Sequence, residues 1–418
     1  MASFGLTANY ITPYALTMGA TTQQIGYLSS LPNFGNMLVC LLTPLIAGHF
    51  GSRRLFLIFT VFIQALLWLP ILLIPFLFHT NQIWWLILFV TLSTTIGGVI
   101  GPSWSSMMAD LIPQSVRGSY FGLRNRIANF VALIASFISA GLLQLLTGNT
   151  RLAFAIIFAG ALIGRMGSVF YLSRMFEPRP VLSTSIKRES IFQIARSLYS
   201  TNVGRFIIFA VVLNLAQNID APFFSVYLLR ELKVSYISYQ IITAMMAVIT
   251  TLVIGWWGKR ADKAGNIRIL HLTAMMIPFV SILYLVSSHV LWLCSVQIFS
   301  GFAWAGFNLC VILFIWDAAP QENRTRFIVL YSAMNALGIT IGSLIGGNIG
   351  PHLPRISGSY FLSIFLLAGI VKLAVIAVLF RRISEVRKVK RVTTTELLFG
   401  SLRTATIKNW WQKISGRR

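Results

Sequence analysis

Of the ten acidic side chains in these 418 residues, Asp220 alone sits well inside a long apolar run. An ionisable group in such a setting is costly, so it points to function by default. Asn214, Gln217, Asn218, Ala221 and Ser225 share one helical face, and Asp220 lies at its edge, about 60° from Gln217. Two chemistries fit. A carboxylate at a water-filled cavity can be alternately protonated and couple a movement to the proton gradient. Alternatively, Asp220 caps a kink before Pro222 or pairs with Arg230. Two cations, Arg165 and Lys372, also fall inside apolar runs, each nine residues before another arginine, Arg174 and Arg381. Snorkelling or packing on a neighbour suits both; Arg165 can also hold a substrate anion.

Amides and an indole complete the polar inventory: Asn9, Asn33, Asn129, Asn308, Asn335 and Trp304. Asn129 aligns with Asn125, Ala132 and Ser136, while Trp304 and Asn308 align with Gln297 and Ser300. Such stripes suit a solute cavity collectively and helix packing individually. No Ser/His/Asp or metal-ligand grouping stands out, and no ATP-cradling G-x-x-x-x-G-K-[ST] loop occurs. Cys40, Cys294 and Cys310 lie in apolar runs without a CxxC. The chain therefore reads as neither an enzyme nor a cofactor binder.

The elements that position these residues must be membrane helices. The chain is 56% hydrophobic and 11% charged. About 20 apolar residues cross a hydrocarbon core, and unbroken runs without strict alternation favour helices over barrel strands. Twelve spans are predicted, at 2–18, 23–47, 54–78, 83–110, 119–146, 152–174, 205–230, 235–257, 267–287, 290–316, 327–349 and 358–380. The formal net charge of +24 does not indicate nucleic acid, because the cations lie in connections between apolar runs. Of the 34 Lys and Arg, 28 fall on one side of the predicted spans and four on the other. That imbalance puts both termini in the cytoplasm, with the protein in the inner cell membrane. The expected domains are a six-helix bundle over 1–174, a linker with an amphipathic helix over 175–204, a second bundle over 205–380 and a basic cytoplasmic tail over 381–418.

The halves repeat one another. Asn9-Tyr10-Ile11-Thr12-Pro13 parallels Asn218-Ile219-Asp220-Ala221-Pro222, and D-x-x-P-Q-x-x-R occurs both at Asp110–Arg117 and at Asp317–Arg324. No Lys or Arg precedes Arg53, and the counterpart of the start of span 7 would fall before Met1. A few residues of span 1 and a short basic stub are therefore expected upstream.

The segment Gly258-Lys259-Arg260-Ala261-Asp262-Lys263-Ala264-Gly265-Asn266 reads G-x-x-x-D-K-x-G-N and lies between spans 8 and 9. It resembles the loop signature of the major facilitator superfamily of secondary transporters. The resemblance implies an all-α integral membrane fold, with twelve transmembrane helices in two pseudo-symmetric six-helix bundles. It implies a monomer that moves a small-molecule solute by alternating access, with protons as the coupling ion. It also implies that the loop latches the halves together on the cytoplasmic side. Gly258 and Gly265 would permit a tight turn, and Asp262 would accept from Lys259, Arg260, Arg326 or a helix N-terminus. The first-half copy is degenerate, with Pro44 and Gly48 at the glycine and aspartate positions. Asp110 and Asp317 oppose the helix macrodipole and need cations; Arg117 and Arg324 can supply them, with Arg53 and Arg54 as alternatives for Asp110. A transporter-derived sensor or scaffold is the second reading.

Overall fold

The computed structural model describes residues 1–49, 52–113, 116–177, 201–319 and 324–386. The expected amphipathic helix of the linker and the basic tail beyond residue 386 lie outside the described residues. Among those described, the only β pairing is an isolated bridge between Ile356 and Ser359. Ten helices are long and apolar enough to cross a membrane. The first two expected spans fall outside that set. Span 1 is divided into Ala2–Thr7 and Ile11–Thr17, and span 2 is the helix Thr22–His49.

The remaining spans are Arg53–Leu66 with Trp68–Leu77 (span 3), Gln82–Leu111 (4), Arg117–Leu145 (5) and Thr150–Ser173 (6). In the second half they are Asn202–Asn218 with Ala221–Val226 (7), Tyr236–Ala264 (8) and Asn266–Leu283 (9). Val290–Ala318 (10), Arg324–Ile349 (11) and Tyr360–Leu379 (12) complete it. Local chemistry sets several starts. Ser52, Asn149, Thr201, Ser235 and Ser359 each accept from a backbone N–H of the following turn, satisfying donors that the helix cannot.

Spans 1 and 7 break at equivalent places, Ala8–Tyr10 and Ile219–Asp220. Pro222 stands in the first turn after the second break, where its missing N–H does no harm. Between spans 8 and 9 the structure departs from expectation. The helix continues through Ala264, so Gly258 is helical and makes no turn. The direction changes at Gly265 alone, whose φ of +88° favours glycine.

Buried apolar residues form one cluster shared by both halves at the end away from the basic loops. It includes Tyr14, Trp68, Phe158, Phe223, Tyr227 and Phe365. At the loop end the halves differ. The second half has an extensive core built on Phe206, Phe209, Trp257, Phe307 and Phe314. The first half has a small one: Leu57, Val61, Met107, Met108 and Leu172.

Span 11 meets span 7 through a stripe of small residues. A Cβ at Gly342 would lie 2.2 Å from the Leu215 carbonyl oxygen, and one at Gly346 would lie 2.1 Å from that of Ile219. Helices in lipid associate through such close approach. Gly342→Ala is expected to destabilise the protein by about 1–3 kcal/mol through overpacking. Gly101→Ala, with nothing within 4 Å of the new methyl, should be close to neutral. Thermal unfolding in detergent compares the two; equal midpoints would overturn the assignment of this contact.

Candidate functional site

The halves are joined at the end away from the basic loops by a layer of polar contacts. The Tyr10 hydroxyl lies 2.6 Å from the Ser136 carbonyl oxygen and 2.9 Å from Gln240 Oε1. Gln240 Nε2 donates to Ser136 Oγ at 2.7 Å. The Tyr239 hydroxyl donates to the Asn9 carbonyl at 2.9 Å and sits 3.0 Å from Ser225 Oγ. Tyr10, Ser136, Tyr239 and Gln240 are buried, and a buried polar group left unpaired costs about 1–3 kcal/mol. Spans 2 and 11 cross beside them. Ser29 and Ser343 are hydrogen bonded at 3.0 Å, and Thr340 donates to the Ser30 carbonyl at 3.2 Å. Gln23 donates to Asn348 at 2.7 Å, Thr22 pairs with Tyr360 at 2.6 Å, and Arg230 donates to the Ala20 carbonyl.

At the loop end each half ties its own third span to acids from elsewhere in that half. In the first half, Arg53 pairs with Asp110 at 2.8 Å. Glu177, just after span 6, accepts from Ser52 Oγ at 2.5 Å and from the backbone N–H groups of Arg53 and Arg54 at 2.6 and 3.3 Å. A carboxylate there satisfies otherwise unpaired donors at the positive end of a helix. In the second half, Asn266 donates to Asp317 at 2.6 Å, and Glu385, just after span 12, accepts from the Ile267 N–H at 2.8 Å. Of the cations considered for Asp110, Arg53 is its partner, while Arg54 donates to the Met175 carbonyl at 3.0 Å. The side chains of Arg117, Arg324 and Arg326 lie outside those described. Lys259 and Asp262 are exposed on the last turns of span 8, and Arg260 lies over the Trp256 ring, 3.3 Å from its centroid.

A cavity of about 730 Å³ lies within the first half. All its lining residues come from the first half, including Gln64, Trp68, Trp104, Arg124, Asn129 and Arg165. Arg165 donates to Gln64 Oε1, and Gln64 Nε2 donates to the Ser93 carbonyl at 3.0 Å. Arg124 stacks over Trp104, 4.4 Å from the ring centroid. In the second half the residues of span 7, from Val203 to Leu213, fill the matching volume.

Of the residues expected at a solute site, the structure brings Asn129 and Arg165 to this cavity. Asn9 serves the interhalf layer through its backbone carbonyl. Asn33 and Asn218 donate to carbonyls one turn back in their own helices. Trp304 does not line the cavity; it packs edge-on against Phe307 in the second-half core. Asn308 is exposed, and the buried Oδ1 of Asn335 has no hydrogen-bond partner among the described residues.

Asp220 also lies away from the cavity, and its partner is not Arg230. Lys372 Nζ contacts both carboxylate oxygens, at 3.0 and 2.9 Å, and Ser281 Oγ donates to Oδ2 at 2.5 Å. Lys372 Nζ reaches Ser281 Oγ at 2.6 Å. The lysine is 0% exposed and the aspartate 3%, so Lys372 turns inward and does not snorkel. The trio joins spans 7, 9 and 12 at the break in span 7.

The family model described as Major Facilitator Superfamily matches residues 1–218 and again 206–417. Comparison with curated proteins gives no match. Among solved structures, a mutant of the nucleoside transporter NupG superposes with a TM-score of 0.73 at 13% identity, over 92% of this chain and 97% of that one. A D-xylose–proton symporter gives 0.68 at 13%, over 94% and 95%. The POT family transporter PepTSo gives 0.67 at 15%, over 91% and 95%. At these identities the likeness speaks to the fold.

Burial pushes the Glu177 carboxyl up, but the Ser52 hydroxyl, the Arg54 and Arg53 backbone N–H groups and the Arg53 charge outweigh it. The result lies below the ordinary glutamate value. Its stabilisation is therefore present above the unfolded value of 4.5 and is lost as pH falls through the lower folded value. Glu177→Gln should melt at a lower temperature than the wild type near neutral pH. The gap should close as pH falls below about 4.5. Thermal unfolding across that range checks it, and a gap independent of pH would refute the role.

Proposed function

The chain belongs to the Major Facilitator Superfamily, a superfamily of secondary transporters rather than enzymes, and is a multi-pass membrane protein; on that premise we propose that it moves a small organic solute by alternating access. One observation carries this reading. The interface at the outer end is made of tyrosine, serine, threonine and amide contacts whose groups can exchange one another for water as the halves part. A layer of this kind can close and reopen at modest cost, since a net hydrogen bond is worth about 0.5–1.5 kcal/mol. We place the basic loops and both termini in the cytoplasm of an inner membrane, following the charge imbalance. The described state is then closed to the outside. The bundles divide at 1–174 and 205–380, and the transporter acts as a monomer.

We assign proton coupling to Asp220 acting through Lys372. Protonating the carboxylate breaks the ion pair and leaves the buried Lys372 ammonium without its counter-charge. That loosens the break of span 7, five residues before Ser225 in the outer layer. The D-xylose–proton symporter, which moves its solute with protons, shares this fold.

Locking the outer layer tests alternating access. Gln23→Cys with Asn348→Cys, in a background lacking Cys40, Cys294 and Cys310, should stop solute movement into proteoliposomes on oxidation and recover it on reduction. Failure of the unlocked protein to move any of a panel of nucleosides, sugars, peptides and organic acids, under any imposed gradient, would favour the sensor reading. For coupling, Asp220→Asn combined with Lys372→Gln avoids stranding a buried charge. This variant should still equilibrate solute but lose at least about tenfold of its pH-driven accumulation, roughly 1.4 kcal/mol of coupling. Accumulation unchanged from wild type would remove the pair from the coupling mechanism.

A further inference from the structure

The outer end of span 7 departs from the α-helix. Over Tyr227–Glu231 it makes a π turn, in which the Leu232 N–H donates to the Tyr227 carbonyl, five residues back, at 3.0 Å. Such a turn holds one residue more than an α turn and is frequent at functional places. Lys233 follows with a φ of +50° and ends the helix. Span 12 anchors this turn. Tyr227, 3% exposed, meets the Phe365 ring edge-on at 5.5 Å. Glu231 accepts from Ser359 Oγ at 2.8 Å, and Ser359 caps the start of span 12.

Arg230, in the same turn, reaches the other half. Its guanidinium donates to the carbonyl of Ala20, between the helices of spans 1 and 2. Ala20 is fully buried. In a continuous helix the Gln24 N–H would serve that carbonyl, but it donates to Thr21 Oγ1 at 3.2 Å instead. The first half thus presents an acceptor that the second half satisfies. The other described contacts of the layer join neutral groups, and a hydrogen bond from an ionised donor is roughly twice as strong as a neutral one. Arg230 stays exposed, so it can trade the carbonyl for water when the halves part. We propose that Arg230 is the latch of the outer closure, a positioning residue that Glu231 and the π turn hold against the Ala20 carbonyl. The proposal rests on the alternating-access reading only in requiring halves that part.

The test uses the full chain purified in neutral detergent, with Cys40, Cys294 and Cys310 replaced by alanine. Ser343→Cys puts a reporter in the seam between spans 2 and 11, where Ser343 is 0% exposed. A water-soluble maleimide then reaches it when the outer layer opens. Arg230→Gln should raise the labelling rate at least about fivefold. Arg230→Lys, which can still donate to a carbonyl, should raise it less. Glu231→Ala should also raise it, and should add nothing to Arg230→Gln, because Glu231 acts through Arg230. Thr273→Cys, 0% exposed within the second half, reports loss of the fold and should keep its rate in every variant. An unchanged rate at the Ser343 reporter in Arg230→Gln would overturn the latch, and so would equal acceleration at both reporters. Independent effects of the Arg230 and Glu231 substitutions would overturn the role of Glu231. Solute movement is measured separately. Faster labelling in Arg230→Gln with no solute moved would sink the transport reading and leave the latch standing, and solute movement with unchanged labelling would do the reverse.

Discussion

The ion pair between Asp220 and Lys372 governs how the second half is built. Two charges removed from water are tolerated only with close geometry and further hydrogen bonds, and here Ser281 supplies the latter. The pair can form only where span 7 interrupts its helix and brings a carboxylate between spans 9 and 12. Span 1 breaks at the equivalent place without such a pair, so the ion pair makes use of a break that both halves share. The segment after the break in span 7 carries Ser225, whose hydroxyl meets Tyr239, which in turn meets the Asn9 carbonyl of the other half. A buried charge in one bundle is thus a few residues from the surface on which the bundles meet.

The two halves keep a common plan and spend it differently. Each breaks its first span at the same point. Each fastens the start of its third span with an acid that ends the fourth span and another that follows the sixth: Asp110 and Glu177 in one half, Asp317 and Glu385 in the other. Between these common features the second half is filled by Phe206, Phe209, Trp257 and Phe314, whereas the first encloses a cavity walled by Arg165, Arg124 and two indoles.

Much of this was legible in the sequence, for reasons that also explain the failures. Apolar runs of bilayer length have one solution in lipid, so the spans and the two-bundle fold followed from composition and repeat. Helix ends were less legible. A helix can run past the hydrocarbon when its last turns carry Lys259, Arg260 and Lys263, so the apolar run stopped near residue 257 while the helix stopped at Gly265. Partners distant in the chain were not legible. Lys372 lies 152 residues from Asp220, and Arg230 looked nearer only because it was nearer in sequence. Gln64 and Gln240 stand as lone amides in apolar runs, and a lone amide there is itself a signal, since it must find a partner in the bilayer. Trp304 misled in the opposite sense. Its alignment with Asn308 suggested a cavity wall, but an indole is large enough to serve the core first.

The polar contacts of this protein fall into two groups by what can replace them. The layer of Tyr10, Gln240, Ser136 and Tyr239 at the end away from the basic loops can give up each bond to water if the halves separate as proposed. Its opening therefore costs far less than the ~4–6 kcal/mol that each bond is worth in an apolar medium. Asp220 and Lys372 have no such exchange, because they are enclosed within one bundle and separation of the halves does not hydrate them. Only a change in their own charge can weaken them. On the proposed mechanism, a movement of the halves is biased by hydration at the interface and by a proton at the break in span 7, with the short segment between these places linking the two.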